Sequence, residues 1–120
     1  MSDAPADPGV AFKIIAAEEW AGIVATGAYG GSAVDLADGY IHLSTAAQFT
    51  ETAGKYYAGR DGLMSLSVDL GLLGEAVVWE PARGGQMFPH IYGPLPVAAV
   101  TARSLFRVDA DGVVHDEGVA

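Results

Sequence analysis

The stretch Gly39-Tyr40-Ile41-His42-Leu43-Ser44-Thr45-Ala46-Ala47-Gln48 joins a strand-like run to a helix start. Alternation along residues 40–44 places Tyr40, His42 and Ser44 on one face of a strand and the aliphatic residues on the other. Thr45 and Gln48 have the spacing of a capping box, in which each side chain satisfies an orphan backbone amide. The sequence therefore predicts a short strand that leads directly into a helix, with an imidazole beside the junction.

Two helices are predicted. The first covers residues 18–26 and ends at Gly27, a residue type that suits the left-handed position after a helix. Residues 27–39 are expected to form a glycine-rich loop between it and the strand. The second helix begins after the capping box. Its predicted buried stripe consists of Phe49, Ala53 and Tyr56.

Strands outnumber helices in the rest of the chain, and both helices come early. No G-x-G-x-x-G or G-x-x-x-x-G-K-[ST] fingerprint is present. This pattern favours an α+β fold with a curved, mostly antiparallel sheet and two flanking helices. We expect one domain over residues 11–108, with acidic tails at residues 1–10 and 109–120. The predicted strands are residues 11–15, 40–44, 63–69, 76–80, 88–92 and 97–108.

Composition excludes several classes of protein. The chain has 120 residues, of which 51% are hydrophobic and 18% are charged, a balance that excludes a disordered chain. It has no cysteine, so disulfide scaffolds, cysteine-based zinc sites and thiol catalysis are excluded. No apolar run reaches the roughly 18–20 residues of a membrane span. The N-terminal residues lack the features of a secretory signal. We therefore expect a cytoplasmic protein with no membrane partner.

The net charge of −9 is concentrated at the two ends of the chain. Six of the fifteen acidic residues lie in residues 1–10 and 109–117, so residues 11–108 carry a net charge of only −3. Six scattered bases make a poor surface for phosphate groups, because nucleic-acid affinity depends mainly on charge neutralisation. We therefore expect no nucleic-acid partner.

Residues with catalytic potential lie in three segments. In the first, His42 and Ser44 precede a helix N-terminus, where free amides favour an anion or ribose hydroxyls. The alternative is that His42 is a buried structural histidine while Ser44 and Thr45 only cap the helix. His115, in the acidic C-terminal segment, is left out of the site.

The second segment is Trp79-Glu80-Pro81-Ala82-Arg83-Gly84-Gly85, where Glu80 ends a strand before a glycine turn. Such a carboxylate can act as a base or hold a hydroxyl, or it can simply pair with Arg83 at a sheet edge. The third segment is Phe88-Pro89-His90-Ile91-Tyr92-Gly93-Pro94. Like Tyr40 and His42, its His90 and Tyr92 place an imidazole and an aromatic ring two residues apart on one strand face.

Together, the first segment with Gln48, Trp79-Glu80 and the third segment through Leu95 closely resemble domain-of-unknown-function family 952, over residues 12–106. The resemblance implies the fold of the ADP-ribosyltransferases, with a split antiparallel sheet and a cleft for NAD. A more distant resemblance links residues 41–44, 60–62 and 67–69 to the RNA 2′-phosphotransferases. Asp61 stands where that family has histidine, and the chain lacks its basic residues for an RNA 2′-phosphate.

These resemblances imply a small-molecule nucleotide ligand and NAD as the possible substrate. We expect Glu80 to act beside the ribose hydroxyls, because contacts to the 2-OH strengthen as the glycosidic bond breaks. His42 and His90 complete the expected catalytic set, with His90 orienting the acceptor or the ring. The expected NAD-binding residues are His42, Ser44, Thr45, Tyr57, Arg83 and Tyr92, with Tyr56 a further candidate for stacking and Arg83 meeting the pyrophosphate.

Two alternatives remain open from the sequence. The chain could be a binding module that holds NAD, ADP-ribose or another small metabolite without chemistry. His42, His90 and Glu80 could instead form a two-histidine, one-carboxylate metal triad.

Overall fold

The computed structural model describes residues 9–120, except for the side chain of Arg83. Residues 1–8 of the predicted N-terminal tail lie outside the described residues, and Val10 already begins the first strand. The helices are α1 (Trp20–Thr26), α2 (Ala33–Asp38) and α3 (Ala46–Tyr56). The strands are β1 (Val10–Ala16), β2 (Ala28–Tyr29), β3 (Ile41–His42), β4 (Leu63–Asp69), β5 (Val77–Pro81), β6 (Met87–Ile91), β7 (Leu95–Pro96), β8 (Val100–Val108) and β9 (Val114–Val119).

The strands form antiparallel sheets, as the sequence predicts. The larger sheet has the order β1-β4-β8-β9, a second sheet has the order β3-β6-β5, and β2 pairs with β7. The two larger sheets meet where Phe12 of β1 and Ser44 exchange backbone hydrogen bonds of 2.7 and 2.9 Å. The molecule is thus a mixed α+β fold with antiparallel sheets joined at one bridge.

The hydrophobic core lies on both faces of the larger sheet. On β4, Leu66 and Val68 point into the main cluster, whereas Leu63 belongs to the smaller one, as alternation along a strand requires. The smaller cluster also contains Ala53 of α3, and Phe49 packs against it. Because both faces of β4 are covered, its first four residues, 63–66, are all buried.

Local sequence signals are confirmed where they act within a few residues. Strand β4 has the predicted bounds. The Thr45 side chain accepts from the Gln48 amide, and the Gln48 side chain accepts from the Thr45 amide, so the predicted capping box begins α3. Gly27 ends α1 with φ +87°, in the left-handed region that a side chain disfavours.

Three sequence-based expectations are wrong. Residues 27–39 contain β2 and α2 rather than only loop, so residues 9–120 hold three α-helices instead of two. The segment 109–120, expected to be an acidic tail, forms a turn and then β9, which pairs with β8 and packs Val114 against the smaller core cluster. Tyr56 is 58% exposed, because α3 turns the neighbouring Tyr57 and Ala53 toward that cluster instead.

Within residues 9–120, no helix combines the length and apolar character needed to cross a bilayer.

The packing of α3 against the C-terminal turn gives a direct test of this arrangement. A Cβ added to Gly54 of α3 would lie 2.6 Å from the carbonyl oxygen of Gly112, whereas one added to Gly22 of α1 would meet no atom within 4 Å. Replacing a glycine by alanine inside a helix ordinarily stabilises the helix by about 1 kcal/mol. We expect Gly22→Ala to raise the free energy of unfolding by up to that amount and Gly54→Ala to lower it by about 1–3 kcal/mol.

Urea unfolding of both variants beside the wild type measures the difference. A Gly54→Ala variant as stable as Gly22→Ala would show that the turn at Gly112 is not packed against α3.

Candidate functional site

The smaller sheet brings the three predicted segments together. His42 of β3 and His90 of β6 are direct cross-strand partners. Glu80 of β5 lies two residues beyond Val78, the partner of His90, so alternation directs Glu80 to the same face of the sheet. Tyr40 and Tyr92 lie two residues from the two histidines. We call the side chains of Tyr40, His42, Glu80, His90 and Tyr92 the imidazole cluster.

Tyr40 is at the centre of this cluster. Its ring stacks on that of His90, with centroids 4.1 Å apart and an interplanar angle of 23°. The rings of His42 and Tyr92 lie 4.8 and 5.2 Å from it, and the two imidazoles are 5.3 Å apart. Since 46% of Tyr92 is exposed and His90 is buried, the cluster offers aromatic surface to solvent above a fixed imidazole.

Glu80 is held by two other members of the cluster. Nδ1 of His90 lies 2.6 Å from its Oε1 atom, and the Tyr92 hydroxyl donates to Oε1 and Oε2 at 2.9 and 3.1 Å. The hydrogen bond from His90, and next that from Tyr92, lower the pKa of the Glu80 carboxyl below its usual value. About a third of this side chain, 35%, is exposed. The arrangement therefore presents an oriented, ionised carboxylate to solvent.

His42 is held from the other side by the short helix α2. Its Nδ1 atom lies 2.6 Å from Oδ1 of Asp35, and its Nε2 atom lies 3.0 Å from Oδ2 of Asp38. A carboxylate oxygen only accepts hydrogen bonds, so each ring nitrogen must carry a hydrogen when it bonds its carboxylate. With 35% of its side chain exposed, His42 can still contact a ligand.

Asp35 is in turn paired with Lys13 of β1. The Lys13 ammonium lies 2.7 Å from Oδ2 of Asp35, and the two side chains are only 7% and 2% exposed. Burial opposes ionisation of Asp35, but attraction to Lys13 and hydrogen bonds from Lys13, Ser32 and His42 lower its pKa to about 2. Burial also lowers the pKa of Lys13, against the raising effect of Asp35. Asp35 is thus a buried carboxylate that stays ionised.

Sequence reasoning missed Lys13, Asp35 and Asp38. One signal was present: Ser32 and Asp35 have the spacing of a capping box, and the structure confirms the reciprocal bonds at 3.1 and 2.9 Å. Reading residues 27–39 as loop concealed that helix start. No local pattern indicated that Lys13, on a strand some twenty residues away, would reach it.

Other predicted site residues lie away from the cluster's exposed face. The buried Ser44 hydroxyl donates to the Thr52 hydroxyl oxygen at 3.2 Å, and Thr45 caps α3. Tyr57 stacks with the Arg60 guanidinium, 5.2 Å from its ring centroid. Of the three tyrosines considered for the site, only Tyr92 bonds Glu80. The side chain of Arg83, expected at a pyrophosphate, lies outside the described part of the structure.

None of the five residues of the imidazole cluster lines either of two cavities that other described residues line. The first has a volume of about 320 Å³ and the second about 640 Å³. The first is lined by Ile14, Ile15, Ala16, Glu18, Glu19, Tyr29, Ser32, Tyr57 and Arg60. The second is lined by Thr45, Ala47, Gln48, Glu51, Trp79, Gln86 and Met87. The partly exposed groups of the cluster, Glu80, His42 and Tyr92, therefore meet solvent outside these two cavities.

The metal alternative finds no support in the side-chain geometry. Within the described residues, no group of three or more His, Asp or Glu side chains is arranged to hold a metal ion. The Nδ1 atoms of His42 and His90 each bond a carboxylate, which suits imidazoles that are oriented by acidic partners.

Comparison with known proteins relates this chain to one small group. Residues 14–103 match the sequence profile of the family described as "Protein of unknown function (DUF952)". The chain is similar to the crystal structure of protein CC0527 from Caulobacter crescentus, with 47% identity and a TM-score of 0.83 over 88% of this chain and 93% of that one. It is also similar to the solution NMR structure of CC0527, with 48% identity and a TM-score of 0.76 over 87% of this chain and 90% of that one. No curated protein matches the chain. Neither similar structure is named for an activity or a ligand.

The ionisation of Asp35 predicts a pH dependence of stability. Because its pKa of about 2 lies below the usual 3.8, the carboxylate stabilises the fold fully above about pH 4, and this contribution is lost as the pH falls through 2. We expect this group to account for about 2 kcal/mol of the decrease in unfolding free energy over that range.

Urea unfolding at pH 5, 3.5 and 2.5 tests this prediction by comparing wild type with Asp35→Asn and with Asp61→Asn, an exposed acid used as control. The stability of Asp35→Asn should depend less on pH than that of the other two proteins. If the unfolding free energies of all three proteins changed equally with pH, Asp35 would not be the source of the pH dependence.

Proposed function

The chain belongs to the family described as Protein of unknown function (DUF952), and we propose that it is an NAD-directed enzyme that transfers ADP-ribose to an acceptor or to water. The proposal includes an ADP-ribosyltransferase-like fold. The two antiparallel sheets that meet at Phe12 and Ser44 support it, because a split sheet of this kind is what the sequence resemblance implies. The ligand site assigned here is the exposed face of the imidazole cluster.

The observation that carries the proposal is the state of Glu80. It is an ionised, partly exposed carboxylate oriented by His90 and Tyr92, beside aromatic rings that can stack on a planar ligand. The histidine, tyrosine and glutamate side chains of the imidazole cluster resemble the His, Tyr and Glu constellation of the diphtheria-toxin-like enzymes. An imidazole that can donate or accept, a carboxylate that accepts and aromatic faces that stack fit a ligand with ribose hydroxyls and a nicotinamide ring.

NAD supplies the leaving group: the ribose develops positive charge as its bond to nicotinamide breaks, and the electron pair of that bond goes to nicotinamide. The acceptor or water then bonds to the same ribose carbon and gives up its proton to solvent. Glu80 is placed to accept hydrogen bonds from the ribose hydroxyls and to stabilise that charge electrostatically. His42 binds a further ribose hydroxyl through its Nε2 atom, and Tyr92 or Tyr40 stacks on the nicotinamide ring. His90 is only 2% exposed, so we assign it to positioning Glu80 rather than to contact with the acceptor.

Replacing Glu80 by glutamine tests the central residue. Glu80→Gln keeps the size of the side chain and one acceptor oxygen for His90 but removes the charge. We expect turnover of NAD, measured as nicotinamide release, to fall by about 10²–10³-fold with the stability little changed. The control is Glu117→Gln, which removes an exposed carboxylate next to Arg107 on the larger sheet.

An unchanged rate in Glu80→Gln would remove Glu80 from the reaction. A control variant that loses activity to the same degree would point to net charge rather than to this carboxylate.

One observation favours a second function, a binding module without chemistry. Glu80 accepts hydrogen bonds from Tyr92 on both oxygens, and no residue of the cluster lines either cavity. Calorimetry with NAD and with ADP-ribose, followed by chromatography of the recovered ligand, separates the two functions. NAD bound and recovered intact after long incubation would favour the module.

The Tyr92 hydroxyl gives a prediction for the pH profile. Its hydrogen bonds help to lower the pKa of Glu80, so Tyr92→Phe, which keeps the ring, should raise that pKa. Because the charged form of Glu80 is the active one, we expect the acidic limb of the rate–pH profile to move to higher pH. Tyr56→Phe, at an exposed tyrosine of α3, is the control. An acidic limb that stays in place would separate Tyr92 from Glu80 in function.

A further inference from the structure

The buried pair of Lys13 and Asp35 has no part in the chemistry assigned to Glu80, yet it contacts His42. Both side chains are almost completely buried, with their charged atoms 2.7 Å apart. A buried ion pair contributes little net stability compared with apolar residues of the same volume, because both charges lose their hydration. Stability alone therefore does not account for this pair, and its contact with His42 points to a role in the site.

The carboxylate of Asp35 is fixed by donors from three parts of the chain. Its Oδ2 atom accepts from Lys13 of β1 and from the Ser32 amide, at 2.7 and 2.9 Å. Its Oδ1 atom accepts from the backbone amide of His42 at 3.1 Å and contacts Nδ1 of the same residue at 2.6 Å. With four contacts on two oxygens, the carboxylate cannot rotate without breaking several of them. It is a rigid acceptor for one ring nitrogen only.

The second carboxylate on His42 is different. Asp38 is the last residue of α2, its side chain is 47% exposed, and it contacts Nε2 at 3.0 Å. Both carboxylates can accept from the ring at once only when both nitrogens carry hydrogens. In the neutral ring the hydrogen stays on Nδ1, facing the buried Asp35, and Nε2 becomes an acceptor that a ligand hydroxyl can reach by displacing Asp38.

We propose that Asp35, held by Lys13, is a positioning residue that fixes His42 as the Nδ1–H tautomer and so turns its Nε2 lone pair toward a ligand hydroxyl. The identity of that hydroxyl as one of NAD rests on the proposed function. The tautomer does not, because it follows from contacts within the protein. Asp38, whose Oδ2 atom lies 3.0 Å from Nε2, competes with that hydroxyl for the same ring nitrogen.

The first measurement uses the wild-type protein without ligand. Long-range proton–nitrogen NMR of a sample labelled with nitrogen-15 histidine, at about pH 9 where histidine is ordinarily neutral, reports which ring nitrogen carries the hydrogen. Substitution of His42, His90 and His115 one at a time assigns the three rings. We expect His42 to be the Nδ1–H form. An Nε2–H form would overturn the proposal without any variant of Asp35.

The second measurement compares two variants that each remove one carboxylate from His42. Asp35→Asn leaves a single side-chain oxygen, for which the buried Lys13 ammonium competes, so Nδ1 of His42 loses its acceptor. We expect this variant to lose a tautomer preference of about tenfold or more, and NAD affinity to fall by a similar factor. Asp38→Asn should leave the tautomer unchanged. Retention of the preference in Asp35→Asn, or an equal loss in both, would overturn the proposal.

A third variant covers the case in which Asp35→Asn fails to fold around an unpaired lysine. Lys13→Met combined with Asp35→Leu replaces the whole ion pair by apolar side chains, a change that buried pairs often tolerate. It should fold and lose the Nδ1–H preference, and a folded double variant that keeps the preference would count against the proposal. If the wild type shows the expected tautomer but does not bind NAD, the proposed function fails while the assignment of Asp35 stands.

Discussion

The carboxylate of Asp35 connects the parts of this molecule that the site depends on. Through Lys13 it reaches β1 of the larger sheet, and through the backbone amide and ring of His42 it reaches β3 of the smaller one. Its own backbone carbonyl accepts from Gly39 and Tyr40, where the chain leaves α2. A buried charge is tolerated only when it is paired and hydrogen-bonded, so these contacts must all form together. That requirement links the position of α2 to the relative position of the two sheets.

The bridge between Phe12 and Ser44 complements this link. It joins the two sheets through backbone hydrogen bonds, a short distance along β1 from Lys13. His42, two residues before Ser44, is held to Asp35 both by its backbone amide and by its ring. A similar principle applies to Glu80, which is oriented by His90 from the neighbouring strand and by Tyr92 just beyond it. The Nδ1 atom of each of these two imidazoles faces one carboxylate, the buried Asp35 for His42 and the partly exposed Glu80 for His90.

The buried carboxylate and the partly exposed carboxylate have different roles in the site. Asp35 is too buried to meet a ligand, and its low pKa keeps it available as a permanent acceptor. Glu80 remains accessible, and its hydrogen bonds hold it in the ionised form. If the cluster acts on a nucleotide, the exposed carboxylate faces the ligand while the buried one orients a histidine that does.

The sequence by itself determined the features that depend on neighbouring residues. The Thr45 and Gln48 capping box, the left-handed Gly27 and the bounds of β4 follow from local hydrogen bonding and apolar patterning, and all three are present. Alternation also placed Tyr40 and His42 on one face of their strand, and His90 and Tyr92 on one face of theirs. These signals identified three segments with chemical potential.

The tertiary structure alone decided how those segments combine. Strand pairing made His42 and His90 neighbours. Lys13 pairs with Asp35 because a buried charge must be compensated by an opposite charge, even one that lies far away in the sequence. The tertiary structure also ordered β9, which has little apolar surface of its own and is held mainly by backbone bonds to β8. Contacts between residues distant in the chain leave no periodic or local pattern, so they are set by the packing of the whole chain.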